Sequence, residues 1–189
     1  MAARAATAQV NGERILAAAA QLFGEQLYDQ VSLDEVAALA GVTVRTVVRR
    51  FGSKLALFDT VAEERALSNR RAREQAPVGE VDQAVRILVD TYERWGDLVV
   101  HLLAQERRTA AIGNRVAAGR RYHRIWVKKT LSPLLGNMPP ALTRRRLAEL
   151  TAVTDVYVWK VLRRDLGLSR SGVEASVGEL VKDIIARGS

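Results

Sequence analysis

Apolar positions along this 189-residue chain recur at helical spacing almost throughout. Leu33, Val36, Ala37 and Ala40 fall three and four residues apart, which predicts a short amphipathic helix beginning at Ser32. Gly41 follows where a helix commonly stops in a left-handed residue. Val44, Val47 and Val48 then alternate with Arg45, Thr46, Arg49 and Arg50, so the next short helix has an apolar inner side and a cationic outer one. Phe51 and Gly52 end it. Leu57, Phe58, Val61 and Leu67 carry a longer helix from Lys54 to about Gln75, and Pro77-Val78-Gly79 marks the boundary behind it. Val85, Leu88, Val89, Tyr92 and Trp95 form a further face that ends at Gly96, with a separate apolar segment from Leu98 to Ala104. A basic helix from about Ala110 to Leu131 precedes a loop holding Pro133, Gly136, Pro139 and Pro140. Leu142, Leu147, Leu150, Val153, Tyr157, Val161 and Leu162 repeat at helical spacing up to Gly167, as do Val173, Val177, Leu180, Val181, Ile184 and Ile185 after Gly172. No strand hairpin, internal repeat or low-complexity tract interrupts this pattern. The expected fold is all-α, with about nine helices.

Local signals fix the ends of the short helices. Ser32 and Glu35 form a capping box, in which the hydroxyl and the carboxylate satisfy amides that the first turn leaves unpaired. Thr43 and Ser53 can cap the two helices that follow. Lys54 in the first turn is poorly placed for the helix dipole, and a cation there invites a phosphate. Two short helices joined by a tight glycine turn, the second one cationic, are the layout of a helix-turn-helix DNA reader.

These residues also carry a family likeness. Arg14-Ile15-Leu16, Ala18-Ala19, Leu22-Phe23, Tyr28-Asp29, Ser32, Val36-Ala37, Ala40-Gly41-Val42-Thr43, Thr46, Arg49 and Phe51-Gly52-Ser53-Lys54 resemble the N-terminal module of TetR-family transcriptional regulators over roughly the first third of the chain. Two positions depart from that pattern. Leu27 stands where the family has Gly after its first helix, which suggests a different helix ending. Val48 stands where the family has a Tyr that hydrogen-bonds phosphate, so anchoring is expected to shift to Arg49, Arg50 and Lys54. The resemblance implies a three-helix DNA-binding module over residues 1–58, including the start of a linking helix, and an effector-binding and dimerisation domain over 59–189. The DNA-contacting set is Ser32, Thr43, Val44, Arg45, Thr46, Val48, Arg49, Arg50 and Lys54.

Charge sharpens this expectation only locally. The net charge is +8, but residues 1–75 hold ten basic and nine acidic side chains, so most of the excess lies beyond the reader. Within residues 43–54, by contrast, Arg45, Arg49, Arg50 and Lys54 stand with no acid among them, the footprint that phosphates would feel. The absence of Cys removes disulfides and thiolate metal sites and suits a reducing cytoplasm. No apolar run approaches the roughly 18 residues needed to span a bilayer, and no signal sequence is evident. A soluble cytoplasmic protein is expected.

The remaining chain offers two further sets of candidates. If the resemblance extends past the reader, the middle helices hold an effector pocket built from Tyr92, Trp95, His101, Gln105, Tyr122, His123 and Trp126, which combine apolar walls with polar tips. Core packing is the plainer account of the same residues. The acid-free run Arg107, Arg108, Arg115, Arg120, Arg121, Arg124, Lys128 and Lys129 reads as a solvated face, with an anionic ligand or distant attraction of DNA as the alternative. The last two helices read as internal core or, following the family, as a four-helix dimer interface carrying Leu150, Val153, Tyr157, Trp159, Val161, Val177, Leu180, Val181 and Ile184.

An enzyme finds little support. There is no H-E-x-x-H, Walker or Rossmann motif, and only two His, at 101 and 123, without clustered acids for a metal site or a triad. No cofactor or metal is expected. The sequence therefore reads as a ligand-responsive repressor that binds a palindromic double-stranded DNA operator as a homodimer. The alternative is a helical DNA-binding protein without a small-molecule effector, constitutive or controlled by a protein partner.

Overall fold

A computed structural model describes residues 2–187 of the chain, with side chains from residue 6 onward, and every regular element among them is helical. The chain forms two compact units, Met1–Leu67 and Ser68–Ser189. In the first unit, α1 (Ala2–Glu25) packs on α2 (Leu33–Ala40), and α2 on α3 (Val44–Phe51). α4 (Lys54–Arg73) begins in this unit and ends in the second.

The expected caps form. The Ser32 hydroxyl accepts from the Glu35 amide at 3.1 Å, while the Glu35 carboxylate accepts from the Ser32 amide at 2.8 Å. The Ser32 hydroxyl also donates to that carboxylate at 2.7 Å, and this bond, followed by the one from the Ser32 amide, holds the Glu35 carboxyl below its usual range. Gly41 takes φ 63°, a conformation that strains any residue with a Cβ, and so turns the chain into α3. Thr43 caps α3 and Ser53 caps α4. Inward-facing Ile15, Ala19, Phe23, Val36, Val47 and Leu57 are buried, and Phe23, Tyr28 and Phe58 meet ring to ring at 5.1–5.8 Å. Such aromatic contacts contribute about 0.5–1.5 kcal/mol each beyond the area they bury, a large share for so small a core.

In the second unit, α5 (Val81–Ala104) packs against α6 (Ala110–Leu131), α8 (Val156–Lys160) and α9 (Arg170–Ala186), while α7 (Pro140–Val153) lies on α6 and α9. Two expectations need correction here. Helix α5 does not end at Gly96; it runs on through the Leu98–Ala104 segment. Gly96 is a packing residue, because a Cβ there would collide with the six-membered ring of Trp159. Nor is Leu142–Leu162 one helix. Thr154 and Asp155 break it, with the Asp155 carboxylate accepting from the Tyr157 amide to start α8. Beyond α8 the chain widens into a π-helical turn over Val161–Asp165, where the Leu166 amide reaches back to the Val161 carbonyl.

Candidate nucleic-acid interface

The outward surface of α3 is the best-defined candidate in the first unit. Val47 is buried beneath it, so residues at helical spacing on the opposite side must face out. Arg45, Val48 and Arg49 are exposed there, and Thr43 and Thr46 join their hydroxyls at 2.9 Å at the helix start. Val44 is half-buried and contributes to packing. Two arginines and two hydroxyls on one face supply donors for base edges and phosphates, with a valine methyl pair between them for apolar contact.

Three residues expected on this surface have other tasks. The Lys54 ammonium donates to the backbone carbonyls of Tyr28 and Val31 at 3.0 Å and to that of Asp29 at 3.4 Å, and sits 4.7 Å from the Tyr28 ring centre. It pins the α1–α2 loop, because those carbonyls need a donor and α4 starts next to them. The Ser32 hydroxyl is committed to its capping box. Arg50 folds back onto α1, donating to the Ala8 carbonyl at 2.9 Å across the bare backbone of Gly12, where a Cβ would strike the guanidinium. A glycine inside a helix was the one sequence signal of that contact.

The proposed effector residues divide in the second unit. Tyr92, His123 and Trp126 come together and are buried, joined by Arg73, a residue that local patterning gave no reason to select. One Arg73 terminal nitrogen lies 3.1 Å from His123 Nδ1, and its guanidinium stands 5.1 Å from the Tyr92 ring centre and 5.4 Å from that of Trp126. Because arginine only donates, His123 Nδ1 must accept, which leaves Nε2–H to donate to the Thr151 carbonyl at 3.3 Å. Burial, followed by the Arg73 charge, pushes His123 down to about 4, so the ring is neutral at physiological pH. Burial likewise raises the Tyr92 phenol, whose hydroxyl donates to the Thr154 carbonyl at 2.9 Å. Tyr122 is half-buried beside this cluster, with Arg70 over its ring. Trp95 and His101 stand further along α5, and Gln105 follows its last residue, buried and donating to the His101 carbonyl.

The interface candidates also separate by exposure. Leu150, Val177, Val181 and Ile184 are buried in the unit's own core, and Val153 packs against it. Trp159, 1% exposed, is an internal anchor. Its indole donates to Glu93 at 2.9 Å, its face carries Arg164 at 4.6 Å, and its ring fills the space left by Gly96. Partial burial works against ionisation of Glu93, but hydrogen bonds from Trp159 and Arg163 outweigh it and hold the carboxyl below its usual range. Tyr157, Val161 and Leu180 remain on the surface at 47%, 45% and 43% exposure.

Comparison with known proteins follows the same division. Residues 15–61 match the family model described as bacterial regulatory proteins, tetR family. No curated protein matches the chain. Among solved structures, a TetR-like transcriptional regulator from Rhodococcus sp. RHA1 aligns with a TM-score of 0.72 at 15% identity, covering 93% of this chain and 96% of its own. A tetR-family transcriptional regulator from Streptomyces coelicolor aligns at 0.67 with 20% identity, covering 93% and 79%. At such identities the likeness is one of fold, and it extends over both units. No helix among the described residues is long and apolar enough to cross a membrane.

Proposed function

We propose that this chain, whose N-terminal module over residues 15–61 belongs to the tetR family of bacterial regulatory proteins, is a cytoplasmic, sequence-specific repressor that binds a palindromic operator as a homodimer and releases it on binding a small molecule. The observation that carries this reading is the face of α3: Arg45, Val48 and Arg49 exposed on a capped helix, with no acid between residues 43 and 54. Residues 1–58 serve as the reader and 59–189 as the effector and dimerisation domain. A single short helix reads few base pairs, so two readers about 34–36 Å apart are needed to engage both half-sites. Tyr157, Val161 and Leu180 are the surface residues suited to join the subunits. An effector that alters reader spacing lowers affinity by preventing simultaneous engagement of the half-sites.

The test is a binding selection from randomised duplexes with the wild type and Arg45→Ala. The expected result is a palindromic consensus, with the variant losing about 1–3 kcal/mol and relaxing one symmetric position. A preference that Arg45→Ala leaves unchanged at every position excludes base reading by Arg45, and failure to select any duplex rejects the whole reading.

A further inference from the structure

The second unit encloses a cation without a counter-ion. Arg73 is 3% exposed, and no ion pair among the described residues reaches it. A buried lysine could shed its proton, but a guanidinium cannot, so the charge stays and its desolvation is uncompensated. The contacts it does make are weak substitutes for a counter-ion: a neutral His123 nitrogen, the Tyr92 phenol and the faces of the Tyr92 and Trp126 rings. Its Nε has no hydrogen-bond partner, and neither does the nearby Tyr122 hydroxyl. Meanwhile the Arg73 backbone is fixed, because its carbonyl accepts from the Trp126 indole at 3.0 Å.

We infer that Arg73 and Tyr122, with His123 behind them, form the anion-recognising end of the effector site, and that the effector is a monocarboxylic organic acid with an apolar body. This rests on the regulator reading above and adds the chemical class of the ligand. One planar guanidinium with unused donors matches one carboxylate in the paired, two-bond geometry that arginine favours. Tyr122 can donate a further bond to the same anion. A single enclosed arginine balances a monoanion, whereas a phosphate dianion would leave charge uncompensated. Tyr92 also lines a closed, largely apolar recess with Leu88, Val89, Val153, Thr154, Asp155, Trp159 and Val177, which has to open to take the apolar body. Arg73 is the last residue of α4, whose first residue, Lys54, belongs to the first unit.

The experiment measures thermal melting of the full chain in straight-chain carboxylates from acetate to octanoate, with the matching alcohols, sodium phosphate and sodium chloride at equal ionic strength as controls. A saturable rise in Tm with carboxylates and none with alcohols or chloride is expected, as ligand binding to the native state requires. Arg73→Met should melt no lower than the wild type in chloride, since it removes an unpaired buried charge, and should not respond to carboxylates. Should that variant fail to fold, Arg73→Lys keeps the charge but loses the fork, and its half-saturating concentration should rise about tenfold or more. Absence of a carboxylate response in the wild type, a response to phosphate in its place, or an equal response in folded Arg73 variants overturns the inference. Gel shifts on the selected operator keep the two readings apart. A chain that binds DNA but ignores carboxylates remains a regulator with another effector, and one that takes carboxylates without binding DNA keeps the site and loses the regulator.

Discussion

In the first unit Arg45 and Arg49 stand exposed on an eight-residue helix, whereas in the second Arg73 is enclosed between His123, Tyr92 and Trp126. The same side chain thus stands in two opposite settings. At the surface its charge is screened and its desolvation small, which suits a reader that must sample many DNA sites and dissociate. Inside, the charge is costly until a partner arrives, which suits selection of one class of small molecule. The units differ likewise in how they use polar groups near apolar ones. In the first, Lys54 is consumed in holding a loop; in the second, Trp159, Glu93 and Arg163 form a hydrogen-bonded network beside the core.

The division predicts that damage to the second unit's surface abolishes operator binding without harming the reader. Leu180→Glu places a carboxylate at one of the exposed apolar positions of the second unit, as Tyr157 and Val161 also are. In a dimer that charge would be buried unpaired, while in a monomer it stays in water. Sedimentation should show dissociation, and affinity for the full palindrome should fall about 10²–10⁴-fold through lost avidity, with helical content retained. A Leu180→Glu protein that remains dimeric and binds the whole operator would remove Leu180 from the interface.

Next in size is an acid sensitivity belonging to the second unit. His123 has a folded-state value near 4, below the ordinary value of 6.5, so between these limits the unfolded chain binds more protons than the native one. Stability is then greatest above pH 6.5 and declines as pH falls toward 4, with a slope of up to about 1.4 kcal/mol per pH unit from this residue. Melting curves of the wild type and His123→Gln across that window should diverge, the variant being flatter. Parallel curves would show that the enclosed imidazole does not carry the effect.

The smallest effect sharpens the account of the reader. If Lys54 holds the carbonyls of Tyr28 and Val31, Lys54→Ala should lower stability by about 1–3 kcal/mol, in line with charged hydrogen bonds lost from a loop. The slope of operator affinity against salt should stay unchanged. Arg49→Ala should instead flatten that slope by about one unit per lost phosphate contact. A flatter slope for Lys54→Ala would return that lysine to the DNA surface.

Features whose causes are local can be read from the order of amino acids alone. The capping box of Ser32 and Glu35, the left-handed Gly41 and the 3.6-residue repeat of Val44, Val47 and Val48 each act over a few residues, so the helix-turn-helix and its outward arginines were legible without coordinates. The all-helical class followed from the same periodicity. What depends on residues far apart in the chain emerges only once the helices pack. Packing buried Trp159 against Gly96, turned Arg50 back onto Gly12, gave Lys54 to a loop, and set Arg73 against His123 and Trp126, fifty or more positions away. Helical spacing states that a position faces inward; it cannot state which side chain waits there, because the partner is chosen by how helices cross. For the same reason Leu180 and Val181, adjacent in one repeat, part company in space, one exposed and one in the core, since neighbouring positions on a helix point about 100° apart.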